Sequence, residues 1–374
     1  MTPRDRPPFR ADHVGSLLRP PELLRARDEH AEGTIDANEL RGIEDDAIRD
    51  VVKLQEAVGL RSVTDGEFRR ASWHMDFIYQ LDGISKVLDE TLHVRFRNER
   101  GAIEFAPPSL HVDDRIGLSK TIFGEAFEFL RTSASDRQTP KLTIPSPSMV
   151  HYRGGRAAVD EAVYPDLDGF WADLTSAYAN EVRRLGDLGC TYLQFDDTSL
   201  AYLNDPEQRE HVREIGGDAE RQHEAYIRYI NEALADRPEG MAVTTHMCRG
   251  NFRSSWVAEG GYDFVAEALF GELQVDGFFM EWDDARSGGF EQLRFVPPGK
   301  VVVLGLVTTK RGELEDRDAL LRRIEEASRH VDLDRLCLSP QCGFSSTVEG
   351  NLLTRDQQAA KLRLVVEVAE EVWG

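Results

Sequence analysis

Eight short runs rich in β-branched and aromatic residues recur along this chain, separated by longer amphipathic stretches. That alternation constrains the fold more than any other feature. The runs are 9–16 (FRADHVGS), 61–67 (RSVTDGE), 141–147 (KLTIPSP), 191–197 (TYLQFDD), 241–248 (MAVTTHMC), 277–282 (GFFMEW), 300–307 (KVVVLGLV) and 335–342 (RLCLSPQC). Helical spacing fills the gaps, as over 38–58, 168–188 and 317–330. In the first of these Ile43, Ala47, Ile48, Val51, Val52, Leu54 and Val58 form one apolar face that ends before Gly59. Eight strands alternating with helices predict an α/β fold, a (β/α)8 TIM barrel, with residues 1–374 as a single domain. A doubly wound open sheet would alternate in the same way, but no G-x-G-x-x-G follows the first run.

Residues 81–140 break the pattern. Within them, TLHVRFRNERGAIEFAPPSL places two strand-like runs around RNERG, which predicts a β-hairpin inserted after the second strand. The insertion is expected near the barrel mouth.

Charge narrows the partners. Lys and Arg number 45 against 67 Asp and Glu, so the net charge is 45 − 67 = −22, spread along the chain. Such a field repels nucleic acid and anionic membranes. No apolar window approaches the roughly 20 residues of a membrane helix, and MTPRDRPPFRADHVGS lacks a signal-peptide core, so a cytoplasmic location is expected. In that compartment the four cysteines, Cys190, Cys248, Cys337 and Cys342, are poor disulfide candidates and better metal ligands or buried thiols.

In a barrel of this kind reactive groups sit at the C-terminal ends of strands and in the loops just after them. Seven of the eight expected ends carry polar residues that core packing does not call for. They are His13 and Ser16; Asp65 and Glu67; Asp196 and Asp197; His246 and Cys248; Glu281, Asp283 and Asp284; Thr308, Thr309 and Lys310; and Cys342. On a strand, positions i and i+2 share a face, so His246 and Cys248 both turn toward the mouth. With Glu281 and Cys342 they make a His-Cys-Glu-Cys set suited to zinc. Cys190 and Cys337 lie at the bottom of their strands and read as buried structural thiols.

Two thiolates and a carboxylate around Zn²⁺ leave a formal charge of −1. A water on such a metal is a poor acid, which argues against hydrolysis. Holding an incoming thiol as thiolate suits the site better.

HVGS, VTDGEFRR, LQFDD, THMC, ME and SPQCG, in that order, resemble the catalytic C-terminal half of cobalamin-independent methionine synthase. The likeness is closest to the short, single-barrel 5-methyltetrahydropteroyltriglutamate–homocysteine methyltransferase-like proteins, and runs from about residue 9 to 350. It implies zinc on His246, Cys248, Glu281 and Cys342, and an amino-acid thiol, homocysteine, held by Ser16, Glu67 and Asp196. On the donor side the chain departs from the family. His151, in LTIPSPSMVH, falls where the synthases carry a folate-stacking tryptophan, and Lys310, in LGLVTTK, falls near the histidine that assists the leaving folate. His151 and Lys310 are therefore the candidates to address the donor. That donor is methyltetrahydrofolate, a methylated corrinoid protein or a small methylated metabolite.

Two alternatives compete with a zinc-dependent S-methyltransferase. An epoxyalkane–coenzyme M transferase type would take a sulfonated thiol, and would want a basic residue where Glu67 and Asp196 stand. A non-catalytic barrel with structural zinc would use a closed site, and such sites seldom include a carboxylate.

Overall fold

The computed structural model describes residues 4–87, 94–98, 101–105 and 109–374. Six parallel strands form its main sheet: β1 (Leu142–Pro145), β2 (Tyr192–Asp197), β3 (Ala242–Met247), β4 (Gly277–Glu281), β5 (Val301–Val307) and β6 (Leu336–Pro340), each paired with the next in chain order. All six coincide with expected runs. The expected helices appear as Ala37–Ala57, Leu167–Asp187 and Arg317–Ser328. The first begins at a reciprocal cap: the Asp36 carboxylate accepts from the backbone N–H of Asn38 and Glu39, and the Glu39 side chain accepts from that of Asp36.

The first two runs contribute less ladder than expected. Ser62–Val63 pairs with Thr139–Pro140 just ahead of β1, and Lys141 N donates to Val63 O. Run 9–16 makes a single parallel bridge, Ala11 to Leu338 of β6. Asp12 explains why it goes no further. Its carboxylate accepts from Phe9 N and His13 N, so local bonds compete with a ladder. The same carboxylate accepts from Ser62 Oγ at 2.7 Å and Tyr192 Oη at 2.9 Å. Between the two flanking segments Leu17 N donates to Gly66 O and Thr64 Oγ1 to Gly15 O.

Period-two alternation sorts the strands into two faces. Leu193, Phe195, Val243, Phe278, Met280, Val302 and Leu304 point outward into the main core, where they meet helical residues such as Leu174, Val182 and Ile227. The opposite face carries Tyr192, Gln194 and Asp196 on β2, Thr244 and His246 on β3, and Phe279 and Glu281 on β4. Low on this face Val14, Phe279, Val301, Val303 and Cys337 form a small apolar cluster. Polar groups lie beside and above it. Lys141, fully buried, donates to His13 O and sits 4.1 Å from the Phe279 ring centre, while Gln194 Nε2 reaches Val14 O at 2.7 Å.

The insertion forms two antiparallel pairs, Asp82–Val87 with Ser109–Gly117 and Val94–Asn98 with Gly101–Phe105. The second is the expected hairpin; residues 91–93, 99–100 and 106–108 of that stretch lie outside the described residues. Arg97 bridges to Trp256 and Val112 to Val159, which ties the insertion to loops beyond the strand ends. Among the described residues no helix is long and apolar enough to cross a membrane.

One buried acid bears on stability. Glu181, on helix Leu167–Asp187, accepts from Ile122 N at 3.0 Å, and burial pushes its carboxyl up to about 8. A raised carboxyl leaves stability intact below the unfolded pKa and erodes it as pH climbs toward the folded one. The wild-type chain should therefore lose on the order of 2–3 kcal/mol more than Glu181→Gln between about pH 5 and pH 8 in chemical unfolding. Parallel curves would show that Glu181 does not titrate in that range.

Candidate active site

β3 delivers the first two site residues. Thr244 and His246 share its inner face, Cys248 continues that face just past the strand end, and Met247 turns into the outer core. β4 delivers Glu281, whose Cα pairs with Gly305 of β5 while Phe279 pairs with His246. Gly305 has a steric reason: a Cβ there would lie 2.7 Å from the Gln341 Cα, and Gln341 leads into Cys342. His246, Cys248, Glu281 and Cys342 are all buried, and each brings a ligand atom within 4.8 Å of the others.

This geometry fits a metal. The two Sγ atoms are 3.5 Å apart. That is far beyond a disulfide bond of about 2.05 Å and near the roughly 3.8 Å expected between two thiolates on tetrahedral zinc with Zn–S bonds of about 2.3 Å. Both His246 ring nitrogens are buried and have no oxygen or nitrogen partner among the described residues, the Cys342 sulfur being the polar group that acts on the ring. Buried imidazoles usually have one, and a metal bond would supply it.

The electrostatics lead the same way. Burial pushes Glu281 up to about 7 against the pull of Lys310. The hydrogen bond from the Cys248 thiol holds Cys342 well below the ordinary thiol range and raises Cys248 in turn. Burial alone would depress His246, but Cys342, Asp196 and Glu281 raise it. The set thus concentrates negative charge where water cannot screen it, and a divalent cation offsets that cost. Cys190 and Cys337 differ: each is buried away from this group, with its thiol pushed up to about 12 mainly by burial.

A second layer fixes these side chains. The fully buried Arg249 donates to Glu281 O at 3.0 Å and lies over the Tyr262 ring, and Tyr262 Oη accepts from Glu281 N at 2.9 Å. Thr309 donates its N–H and hydroxyl to Gln341 Oε1, and Asn251 Nδ2 donates to Gly343 O, which sets the Cys342 loop. Lys310 pairs with Asp283 at 2.9 Å, and with Arg286 holds that carboxyl below its usual range although burial opposes them.

A cavity of about 310 Å³ opens onto the group, lined by His246, Cys248 and Cys342 together with Ser16, Glu67 and Asp196. Glu67 sits in a turn with left-handed backbone, φ 61°, rather than at a helix start. Its Oε1 accepts from Thr143 Oγ1 at 2.8 Å and lies 3.7 Å from Arg70 Nη1, while Oε2 is buried without a partner among the described residues. Asp196 is the next-to-last residue of β2 and accepts from Gln194 Nε2. Burial pushes Asp196 up to about 7, with Glu67 adding to the rise, and burial raises Glu67 as well, against the pull of Arg70. Two such acids favour a cationic ligand group. Ser16 Oγ accepts from Ser345 N at 3.3 Å, and Gly343 packs so tightly that a Cβ would lie 2.0 Å from that oxygen. The adjacent Asp197 faces the other way and is spent on Ser148, Ser199 and Leu200 N.

Two expected residues fall outside the lining. His151 is packed against Phe170, Trp171 and Tyr226, with Nδ1 3.0 Å from the Tyr226 hydroxyl, because its short helix Ser148–His151 turns it into an aromatic cluster. Lys310 is taken up by Asp283. Sequence reasoning missed Arg70, Arg249, Tyr262 and Thr143. Arg70 and Arg249 stand within three residues of Glu67 and Cys248, and a buried charge beside a motif was the available signal.

Comparison with known proteins agrees with this geometry. Residues 9–371 match the family model described as cobalamin-independent synthase, catalytic domain. YxjG of Bacillus subtilis (strain 168) is 48% identical over 371 residues, 99% of this chain and 96% of that one. A solved structure of a candidate vitamin-B12-independent methionine synthase from Listeria monocytogenes is 40% identical, with a TM-score of 0.79 over 98% of each chain. A B12-independent methionine synthase from Shewanella sp. W3-18-1, in complex with selenomethionine, shares the fold at 19% identity, with a TM-score of 0.69 over 97% of each chain. On the family match from residue 9 to 371 and these identities, the chain belongs to the cobalamin-independent synthase catalytic-domain family.

Proposed function

We propose that this protein is a zinc-dependent S-methyltransferase that converts homocysteine to methionine, working in the cytoplasm on a single closed (β/α)8 barrel. One observation carries the reading: a His-Cys-Glu-Cys group opens onto a cavity that two buried acids, Glu67 and Asp196, also line. The distant relatives from Pyrococcus abyssi and Bacillus licheniformis, at 21% identity, are named methionine synthase and 5-methyltetrahydropteroyltriglutamate–homocysteine methyltransferase, which supports it.

His246, Cys248, Glu281 and Cys342 would hold zinc, which when bound supplies the positive charge that keeps a substrate thiol deprotonated at neutral pH. Glu67 Oε2 and Asp196 take the α-ammonium; its charge relieves the burial that raises both acids. Ser16 and nearby backbone N–H groups take the α-carboxylate. Glu67 is in turn held by Arg70 and Thr143. In the transfer the substrate sulfur forms a bond to the methyl carbon while the methyl–donor bond breaks. The bonding electron pair stays with the donor, which is methyltetrahydrofolate, a methylated corrinoid protein or a small methylated metabolite.

Lys310 acts on the ligand group: its charge pulls Glu281 down, and Asp283 fixes its position. His151 braces the Ser148–His151 turn through Tyr226. Acids at Glu67 and Asp196 disfavour a sulfonated thiol, which sets this reading above a coenzyme M transferase.

Purified protein should carry about one zinc per chain, and Cys342→Ser or Cys248→Ser should lose most of it by elemental analysis. Chelation should abolish homocysteine binding while far-UV circular dichroism stays native; melting on chelation would mark the metal as structural. Zinc-loaded protein with homocysteine and a panel of methyl donors should give methionine by mass, and product from another thiol alone would overturn the assignment. Asp196→Asn should keep its zinc yet raise the KM for homocysteine on the order of tenfold or more, from loss of a charge-assisted contact.

A further inference from the structure

The cavity above the ligand group continues outward past Trp73, and a second cavity of about 250 Å³ begins on the far side of His74, Met75 and Arg153, which line both. One wall of the second cavity comes from the insertion, through Val87, Leu110 and His111; the other comes from the stretch Met149–Ala158. Arg153 therefore stands where two neighbouring cavities adjoin, and lines both.

Its surroundings are unusual for a half-buried guanidinium. Nη1 is buried with no partner, and the side chain makes no hydrogen bond or ion pair among the described residues. The neighbouring buried arginines behave otherwise: Arg19, Arg70 and Arg249 each donate to a carbonyl or hydroxyl oxygen. The groups around Arg153 do not balance it. His74, whose ring is pushed down to about 3 by burial and by Arg153, is neutral, and Lys86 lines the inner cavity as a second cation. Of the acids on the same cavity, Asp76 accepts from Ala71 N and Ser72 N, and Glu67 and Asp196 belong to the thiol subsite. Glu349 also lines that cavity, but makes no ion pair with Arg153 among the described residues. In a chain of net charge −22, a cation in a cavity wall with no ion-pair partner among the described residues is a place for a ligand anion.

Resting on the methyl-transfer reading above, we propose that Arg153 binds an anionic group, carboxylate or phosphate, on the methyl donor. The donor spans the junction, with its methyl end toward Cys248 and Cys342 and its anion at Arg153. A donor whose charge is a sulfonium or quaternary ammonium meets like charge there and is disfavoured. Arg153 is thus a specificity residue for the donor and takes no part in holding the thiol.

Calorimetric titration of the zinc-loaded full chain tests this with four probes: inorganic phosphate, glutarate, 5-methyltetrahydrofolate and S-methyl-L-methionine. At least one anionic probe should bind the wild type. Arg153→Ala should weaken it on the order of tenfold to a hundredfold, and Arg153→Lys should restore part of the loss. Homocysteine affinity should stay within about twofold in both variants, since its contacts lie elsewhere. Loss of the phosphate signal alone would identify a phosphorylated donor, and loss of the glutarate and methyltetrahydrofolate signals a carboxylated one. Anion affinities unchanged in Arg153→Ala, no anion bound by the wild type, or S-methyl-L-methionine bound more tightly than every anion would each overturn the proposal. Failure of homocysteine to bind the wild type would instead refute the methyl-acceptor reading, whatever the anions do.

Discussion

Burying three groups that can each carry negative charge within 4.8 Å of one another is the constraint on which the rest of this structure turns. Isolated, each would cost several kcal/mol to desolvate, and together they repel. The fold answers with cations that do not touch the ligand atoms. Lys310 lies close enough to pull on Glu281 and Cys342 but is tethered to Asp283, and the Arg249 guanidinium is aimed at the Glu281 carbonyl, only its backbone N–H reaching the carboxylate, at 3.3 Å from Oε1. These arrangements lower the repulsion without filling the ligand positions. The remaining deficit matches a divalent cation.

The same economy shapes the adjoining acids. Glu67 has one oxygen fully engaged with Thr143 and Arg70 and the other left open, and Asp196 has one oxygen on Gln194. Each is only half satisfied, and both residues line the cavity. A carboxylate in that state is rigid in orientation yet keeps one oxygen free for a cationic group.

Much of this was legible in the sequence, because period-two alternation translates spacing into direction. T-H-M-C could turn His246 and Cys248 inward only with Met247 outward, and the apolar runs before Glu281 and Asp196 fixed their height at the strand ends. What sequence could not give was contact between segments far apart in the chain. The shortfall of run 9–16 came from Asp12, whose carboxylate is consumed locally and by Tyr192, 180 residues away. His151 occupies an aligned position, yet the aromatic cluster of Phe170, Trp171 and Tyr226 claims its ring. Arg153, two residues further on, faces the cavities instead.

The placement of the insertion has an evolutionary consequence. The groups proposed to hold metal and thiol stand on the strand ends and the loops just after them, where a shift of one residue would reverse a side chain's direction. The walls of the outer cavity come largely from the insertion and from the stretch Met149–Ala158, which lie outside the strand ladder and tolerate exchange more readily. A lineage could therefore retune which methyl compound enters by rewriting residues around Val87, Leu110 and Arg153. The His-Cys-Glu-Cys group and the acids beside it would descend unchanged beneath it.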